Sequence, residues 1–304
     1  MTLEQDAGTT ELENALLATV AYSDVFDMPV SVADSGRFLV GVRAAPADIT
    51  ATAEQLLDEG RLSARDDLLY LPDRAEVLAI HDDRRARAEA MWPQARRWSR
   101  LLTWIPYVRM VAVTGGLACD SVEAHDDIDL FVVTAPGRLW LTRLAIVVVV
   151  RIAGLRGPEL CPNYIVASDS LEMDVRTQYV ARELAQTIPL CGSDVWDQLL
   201  DVNGWYREHL PNAERRAERQ VASGRPGPLR AAIEWAFSRS AFDRLEAAEM
   251  KRKVKRLTAV SSRRPEVGRP DESAFSPSVC KGHMDGNAAG IEVAWRERIT
   301  KLSS

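Results

Sequence analysis

The stretch VAVTGGLACDSVEAHDDIDLFVVT, residues 111–134, decides the fold. It opens and closes with apolar runs typical of strands, and between them lie Gly115 and Gly116 and, after ten further residues, Asp127 and Asp129. Side chains alternate between the two faces of a strand, so both acids should point to one side and the apolar residues beside them to the other. The pattern predicts two strands joined through a glycine turn, with a pair of carboxylates where the second strand begins.

The carboxylate pair predicts a metal site. Like charges side by side destabilise a strand unless a cation lies between them. A hard divalent ion suits Asp127 and Asp129 because it prefers carboxylate oxygens and the phosphates of a nucleotide; we expect Mg²⁺, with Mn²⁺ as the alternative. If a helix begins just after Gly116, its free N–H groups and positive dipole end face the same space, and the glycines let a polyphosphate approach closely.

These residues resemble the signature of the polymerase-beta-like nucleotidyltransferase superfamily: Gly, then Gly or Ser, about ten residues, then Asp, a hydrophobic residue, Asp or Glu, and a hydrophobic residue. The resemblance covers residues 108–167, and the flanks are similar to bacterial proteins that join a winged-helix-like region to such a domain. It implies that Asp127 and Asp129 hold two Mg²⁺ ions and that Gly115 and Gly116 bind the phosphates of an NTP, with ATP expected. Relatives often carry Ser where Gly116 stands, so a hydroxyl bond to phosphate is absent here. A glycine turn before an acidic strand start also occurs in α/β proteins of other function.

The resemblance also implies a third carboxylate, on the strand that follows the next helix. The segment CPNYIVA, residues 161–167, is predicted as that strand, and its centre carries Asn163, flanked on the same face by Cys161 and Ile165. Asparagine can offer a carbonyl oxygen to a metal, but it has no charge and cannot accept a proton. The third ligand is therefore uncertain between Asn163 and Glu159, which precedes the strand.

Two functions stay open at this point. The first is a Mg-dependent nucleotidyltransferase that moves a nucleoside monophosphate from an NTP to the hydroxyl of an unknown acceptor, which could be a protein, an RNA or a small molecule. The second is a catalytically impaired nucleotide-binding or partner-binding module on the same fold. The missing third carboxylate keeps the second function in consideration.

The periodicity of the chain predicts an α+β protein in three parts. Residues 1–80 form a winged-helix-like domain, residues 81–190 a nucleotidyltransferase-like core with a connecting helix, and residues 191–304 a helical region. The core is expected to be a small mixed sheet with helices on one side. Its helix from Arg138 to Leu155 is apolar on nearly every side, which predicts that it lies buried across the sheet. Arg138, at its start, is a candidate phosphate contact.

The predicted winged helix raises a third function, that of a DNA-binding regulator. Its third helix, predicted from about residue 47 to residue 59, however, contains Asp48, Glu54, Asp58 and Glu59 and has no Lys or Arg. Such a helix would repel phosphates. We therefore expect no binding of duplex DNA and interpret this unit as a packing module or as the contact of a homodimer.

Composition narrows the remaining classes. The net charge of -6 favours neither nucleic acid nor an anionic membrane as a partner. The four cysteines are widely spaced without a CxxC pair, and the acidic N-terminus does not resemble a signal peptide, so we expect a cytoplasmic protein with reduced thiols. The most apolar segment, Leu144–Val150, is far too short to span a bilayer.

Overall fold

The computed structural model describes residues 3–155, 159–214, 228–237, 240–261, 274–281 and 287–302. Within these ranges the chain is a mixed α+β protein with two sheets, which confirms the predicted class. None of the described helices is both long enough and apolar enough to cross a membrane.

The N-terminal unit combines three helices with a small sheet. Its elements are α1 (Leu3–Asp24), β1 (Val30–Ser31), α2 (Val32–Arg37), α3 (Pro46–Asp58), β2 (Ser63–Arg65) and β3 (Leu68–Tyr70). In the described part of the chain, β3 lies between β1 and β2 and is antiparallel to both. Three helices and a hairpin follow the predicted order, while β1 is an addition that the sequence pattern does not reveal.

Local signals in the sequence account for the helix boundaries in this unit. α2 begins after Ser31, whose hydroxyl accepts a hydrogen bond from the backbone N–H of Asp34 at 3.0 Å, as an N-cap does. α3 has Pro46 at its start, where the missing N–H has no helical partner to lose. Ile49 and Leu56 of α3 are buried in the core that this helix shares with α1.

A long helix leads from this unit into the main sheet. The elements from there on are α4 (Glu76–Leu102), β4 (Val108–Val113), α5 (Gly115–Ala118), β5 (Ile128–Thr134), α6 (Leu139–Gly154), β6 (Leu160–Ala167), α7 (Gln178–Gln186), β7 (Ile188–Cys191), α8 (Ser193–Val202), α9 (Tyr206–His209), α10 (Pro228–Ala236), α11 (Ser240–Ser261), β8 (Ala274–Phe275), β9 (Val279–Lys281) and α12 (Asn287–Leu302). Among the described strands the order is β7-β4-β5-β6-β9-β8. β5 and β6 pair in parallel, and α6 is the crossover helix that a parallel pair requires.

Helices cover both faces of the main sheet, so the prediction of helices on one side is wrong. In β4, Val111 and Val113 pack into a core with α4, α5 and α6, whereas Met110 and Ala112 pack into a second core with α7, α8 and α9. A strand that is buried on both faces is apolar at successive positions instead of at alternate ones. The run VRMVAV carries this signal, because it is apolar at every position but one.

The crossover helix α6 is buried on one side only, which corrects the expectation that it lies buried across the sheet. Ile146 and Ala153 are fully buried against the sheet, while Val148 and Leu155 are exposed. α6 forms the outer layer of the fold, between α4 and α11. Its apolar sequence therefore covers the sheet with one face and meets solvent with the other.

The predicted boundary between residues 190 and 191 cuts through packed structure. β7 crosses it and pairs with β4, and α8 and α9 cover one face of the sheet. Further along the chain, β9 pairs with β6 and extends the opposite side of the sheet. The segment 191–304 thus contributes strands and covering helices to the core, in place of the separate helical region that was predicted.

The N-terminal unit also packs closely against the core. Phe38 is buried in the same cluster as α7, α8 and α9, and the backbone N–H of Gly41 donates to the carbonyl of His209 at 2.8 Å. On the other side, the indole of Trp295 in α12 donates to the carbonyl of Ala18 in α1 at 2.8 Å. These contacts support the interpretation of residues 1–80 as a packing unit within the chain.

Candidate functional site

Asp127 and Asp129 open into a cleft of about 1030 Å³, which we call the acid cleft. It is bordered by the start of β5, by β6, by α7 and by β9. Ile128 and Leu130 are fully buried in the core on the opposite face of β5, as the alternation of side chains predicts. The strand therefore anchors itself with its apolar residues and presents its carboxylates to the cleft.

Gly115 is required by the close approach of Asp129. Its φ is 64°, a conformation that favours glycine. A Cβ at this position would lie 2.5 Å from Asp129 Oδ2, and the neighbouring Thr114 N–H donates to the carbonyl of Asp129 at 3.1 Å. The glycine and the acid thus form one packed unit at the edge of the cleft.

Gly116 is explained by the loop that follows it. A Cβ there would lie 2.4 Å from the carbonyl oxygen of Ser121 and 3.2 Å from Asp126 Oδ2. Any side chain, including the serine that relatives often carry, would displace this loop. The sequence predicts a helix just after Gly116; α5 in fact begins at Gly115 and contains four residues. A helix of one turn has a smaller dipole than a full-length helix, so phosphate binding would depend mainly on individual N–H groups.

Two residues of β6 complete the site around the acid pair. The Sγ of Cys161 and carboxylate oxygens of Asp127 and Asp129 all lie within 4.8 Å of one another. Asn163 Nδ2 donates to Asp129 Oδ1 at 2.8 Å. Asn163 therefore stands beside the acid pair, as predicted for a third ligand, but it presents its amide nitrogen to Asp129. The thiol of Cys161 is a potential ligand that the sequence reading did not consider.

A β-bulge places Asn163 beside Asp129 and corrects the predicted register of β6. Asp129 pairs with Cys161 and Phe131 pairs with Tyr164, so β6 has one residue more than β5 between these pairs. Past the bulge, the side chains of β6 change face, and Ile165 lies in the core opposite the acid cleft. The prediction that Ile165 lies on the same face as Asn163 is therefore wrong. Pro162, which has no N–H to donate, falls in this bulge.

The electrostatics of the acid cleft favour the uncharged forms of its groups. Burial, together with the charges of Asp127, Glu183 and Asp126, raises the pKa of Asp129 to about 7. Burial, together with the charges of Asp127 and Asp129, raises the pKa of the Cys161 thiol. Among the described residues, no Lys or Arg forms an ion pair with Asp127 or Asp129. A divalent cation between such carboxylates would reduce their mutual repulsion.

Glu183 of α7 also lines the acid cleft and was not recognised from the sequence. Burial raises its pKa to about 7, against the opposing charge of Arg182, and its carboxylate accepts a hydrogen bond from Gln186 Nε2. The apolar periodicity predicts a helix over residues 174–190; α7 is shorter, and β7 begins at Ile188 within the predicted range. Nothing in that pattern distinguishes Glu183 from an ordinary helical acid, because its proximity to Asp129 depends on how α7 packs on the sheet.

The two remaining candidates lie in different places. Glu159 lines the acid cleft just before β6, and its backbone carbonyl accepts from Ile128 N at 2.9 Å. Arg138 does not reach the cleft: it lies past the far end of β5 and pairs with Asp243 at 2.7 Å. Residues 130–134, the last five of β5, lie between Asp129 and the turn before Arg138, a distance of roughly 16 Å at 3.3 Å per residue. We therefore remove Arg138 from the set of nucleotide contacts.

A second cavity of about 530 Å³ adjoins the acid cleft on the side of the N-terminal unit. The two share Gly115, Tyr179 and Glu183 as lining residues. Arg84 of α4 lines this second cavity and pairs with Glu123 at 2.6 Å. One arginine of the connecting helix therefore stands near the site, though its charge is already balanced by a carboxylate.

Comparisons of the chain with protein-family models, with curated protein sequences and with solved structures gave no match. The resemblance to nucleotidyltransferases is therefore carried by the motif residues, and the geometry of the acid cleft is the basis on which a function can be argued.

Proposed function

We propose that this protein binds a divalent cation and a nucleoside triphosphate in the acid cleft and transfers a nucleoside monophosphate to an acceptor hydroxyl. One observation carries the proposal. Ligand atoms of Asp127, Asp129 and Cys161 converge within 4.8 Å of one another, and no described cation pairs with the two acids. Carboxylates in this arrangement repel one another until a metal ion binds between them.

In the proposed reaction, the acceptor oxygen attacks the α-phosphorus, the bond from that phosphorus to the bridging oxygen breaks, and pyrophosphate leaves. Asp127 and Asp129 would hold Mg²⁺, which neutralises phosphate charge and lowers the pKa of the attacking hydroxyl. The hydroxyl proton needs an acceptor. Glu183 faces the same cleft and has a pKa of about 7, which suits a general base near neutral pH.

The size and lining of the acid cleft fit a nucleotide. Its volume of about 1030 Å³ lies at the upper end of the usual range for small-molecule sites, roughly 300–1,000 Å³. Phe131 and Tyr164 stack at 4.8 Å in its wall, and Lys281 lines it from β9. Aromatic and basic groups near a metal site are the partners that a base and phosphates require.

The second candidate is a binding module without catalysis, and Asn163 favours it. At the position where the family resemblance implies a third carboxylate, this chain directs an amide nitrogen at Asp129. A site with one negative charge fewer binds the activating metal more weakly. Nucleotide binding would then survive while transfer is slow or absent.

The third candidate, a DNA-binding regulator, has the least support. Asp48, Glu54 and Asp58 of α3 are all exposed, so the helix that would face DNA presents negative charge. We expect no binding in an anisotropy titration with duplex DNA at physiological salt, and submicromolar binding with a steep salt dependence would restore this function.

A thermal-shift measurement with Mg-ATP tests the binding part of the proposal. A ligand that binds only the folded state raises the melting temperature, and the other NTPs and Mn²⁺ are compared in the same way. Asp127→Asn with Asp129→Asn should abolish the metal-dependent shift without unfolding the protein. The matched control is Asp66→Asn with Asp67→Asn, in the exposed turn between β2 and β3. An unchanged shift in the first double variant would remove the β5 acids from the metal site.

A transfer assay separates the enzyme from the binding module. Labelled NTPs are incubated with the protein, Mg²⁺ and cell lysate, and label is followed into protein, RNA and small molecules. Transfer that is lost in the Asp127→Asn, Asp129→Asn variant supports the enzyme. A Mg-ATP shift without any transfer supports the binding module instead.

A further inference from the structure

The outward face of α6 is an exposed apolar stripe. Leu144, Val148 and Ile152 follow one another four residues apart, with exposed fractions from 38% to 52%, and Leu155, directly after the helix, is 84% exposed. An apolar helix surface that faces water has no folding role, because burial is what makes such residues stabilising. Contiguous exposed apolar patches of this kind usually mark an interaction site.

The two helices that flank α6 extend this surface. α4 and α11 both pack against α6 and bury their inner sides in the same core, so the three helices form one layer with a common outward face. Leu101 at the end of α4 and Trp104, two residues after the helix, add to it, and Trp104 is 73% exposed. We call this outward face of α4, α6 and α11 the outer layer surface.

Positive charge surrounds the apolar stripe. In residues 93–102 of α4, in α6 and in the described part of α11 after Glu249, the exposed bases are Arg97, Arg100, Arg151, Lys251, Arg252, Lys255 and Arg256. The exposed acids of these helices, Glu76, Asp82, Asp83, Glu89 and Asp243, lie in the earlier parts of α4 and α11. No Asp or Glu occurs in residues 93–102 of α4, in the whole of α6, or in α11 after Glu249. Glu249 itself is buried and pairs with Arg252. The outer layer surface is thus locally basic, although the whole chain has a net charge of -6.

We propose that the outer layer surface attaches this protein to the surface of an anionic phospholipid bilayer. A bilayer offers both chemistries that the surface needs: acyl chains for the apolar stripe and anionic headgroups for the bases beside it. Trp104 at the margin has the amphipathic ring that is enriched at membrane interfaces. The expectation of no membrane partner came from the overall charge, which does not describe this surface.

Other occupants satisfy only part of this surface. In a symmetric dimer through the outer layer surface, the bases of one copy would meet the same bases of the other and repel them. A nucleic acid would pair with the bases but would leave the apolar stripe of α6 exposed to its charged backbone. The bilayer matches both the apolar centre and the basic margin.

Vesicle flotation with the full-length protein tests the proposal. The protein is mixed with vesicles of phosphatidylcholine alone or of phosphatidylcholine and phosphatidylglycerol in equal parts. We expect binding to the mixed vesicles, little binding to the neutral ones, and weakening of binding as salt screens the bases. Failure to bind mixed vesicles at low salt would overturn the proposal.

Two pairs of variants assign the binding to this surface. Val148→Ser with Ile152→Ser, and separately Lys251→Glu with Lys255→Glu, should each lower partitioning into the mixed vesicles by about tenfold or more. The matched controls are Val202→Ser with Val293→Ser, which are similarly exposed elsewhere, and Arg296→Glu with Lys301→Glu on α12. All of these positions are at the surface, so circular dichroism should show unchanged folding.

The variants also identify the alternatives. If the α6 variant and the α11 variant both partition into the mixed vesicles as strongly as the wild type, the proposal is overturned, because the bilayer contact then lies elsewhere. So would a dimer in light scattering that becomes a monomer in Val148→Ser with Ile152→Ser, since a second copy would then cover the stripe. Binding to single-stranded RNA that tracks the bases but not the stripe would assign the surface to nucleic acid.

Discussion

Acids near the two ends of β5 lie in opposite electrostatic settings. Asp129 lies at the cleft end, and Glu234 of α10 contacts Tyr107 and Arg109 where the start of β4 pairs with the far end of β5. At the cleft end, burial and neighbouring acids raise the pKa of Asp129 to about 7. At the far end, burial of Glu234 opposes its ionisation, but hydrogen bonds from Arg109, from the Tyr107 backbone and from Arg230 outweigh it and lower the pKa to about 2. Arg109 holds both carboxylate oxygens, at 3.0 and 2.9 Å.

The difference lies in the partners of the two acids. An acid with complete hydrogen bonds and cations around it stabilises the fold. Acids that crowd together without a cation cost stability, and groups with strongly shifted pKa values of this kind are concentrated at functional sites. The far end of β5 thus has the pattern of a structural ion pair, whereas the near end has the pattern that the proposed cation site requires.

Substitution of the glycines at the two ends should have the largest effect on stability. Gly115 and Gly137 have φ values of 64° and 66°, but a Cβ on Gly115 meets Asp129 Oδ2 at 2.5 Å, whereas one on Gly137 meets nothing within 4 Å. We expect the free energy of unfolding to fall by about 1 kcal/mol in Gly137→Ala, from backbone strain. In Gly115→Ala it should fall by about 3 kcal/mol, since overpacking adds to that strain. Urea denaturation measures both, and equal losses would contradict the close approach of Asp129.

Much of the acid cleft is predictable from the sequence because its signals are local. The spacing of Gly115 and Asp129 and the alternation along β5 fall within one stretch of chain, and the structure brings these residues together as expected. The position of Arg138 could also have been predicted. A strand of seven residues cannot place residues before and after it in one small site, since each residue advances the chain by about 3.3 Å.

Other features depend on contacts between distant parts of the chain. β7, β8 and β9 have only two to four residues each, too few for a periodicity to show. β7 and β9 pair with the edges of the longer strands β4 and β6, and β8 pairs with β9. The bulge that turns Asn163 toward Asp129 depends on how β6 pairs with β5. Glu183 reaches the cleft only through the packing of α7. No pattern within a single segment contains this information.

Neutralising one acid at each end should change stability in opposite directions. Glu234→Gln leaves Arg109 and Arg230 without their anion and should lower the free energy of unfolding by about 1–3 kcal/mol. Asp129→Asn removes a repelled charge and can still accept from Asn163, so at pH 8 without divalent ions it should raise the free energy of unfolding by about 1 kcal/mol. Urea denaturation measures both variants. If Asp129→Asn also lowers the free energy of unfolding, the hydrogen bonds of Asp129 stabilise the fold as those of Glu234 do.

The pH dependence of stability should reflect the raised pKa of Asp129. The folded state holds a proton on this carboxyl up to a pKa of about 7, whereas the unfolded chain releases it near pH 4. Between these values the folded state binds more protons, so without divalent ions its stability should decrease as pH rises, by about 1–2 kcal/mol. Asp129→Asn should lose this part of the slope, and a slope identical to that of the wild type would assign the effect to other groups.

Mg²⁺ should reverse this trend, because the metal and the proton compete for the same carboxylate. The stabilisation by Mg-ATP should therefore be smaller at pH 6 than at pH 8, where Asp129 is ionised. Thermal shifts at the two pH values measure the difference. A shift that does not change with pH would indicate that Asp129 is not a ligand.

Asn163→Asp should have a small effect on stability and the most direct effect on function. The new carboxylate replaces the amide that donates to Asp129 at 2.8 Å and adds one more charge to the acid cleft, so stability without metal should fall by about 1 kcal/mol. With Mg²⁺, the added ligand should strengthen metal binding several-fold and raise the turnover of labelled nucleotide. Asn163→Ala is the control, because it removes the hydrogen bond and adds no charge.

The result of Asn163→Asp distinguishes an enzyme site from a binding site at the near end of β5. A gain in turnover would mean that the wild-type chain lacks only its third carboxylate. Tighter Mg²⁺ binding without turnover would identify a module that binds nucleotide and does no chemistry. If Asn163→Asp changes neither property while Glu159→Gln abolishes the Mg-ATP shift, the third ligand is Glu159, which lines the same cleft, and the amide of Asn163 serves only to hold Asp129 in place.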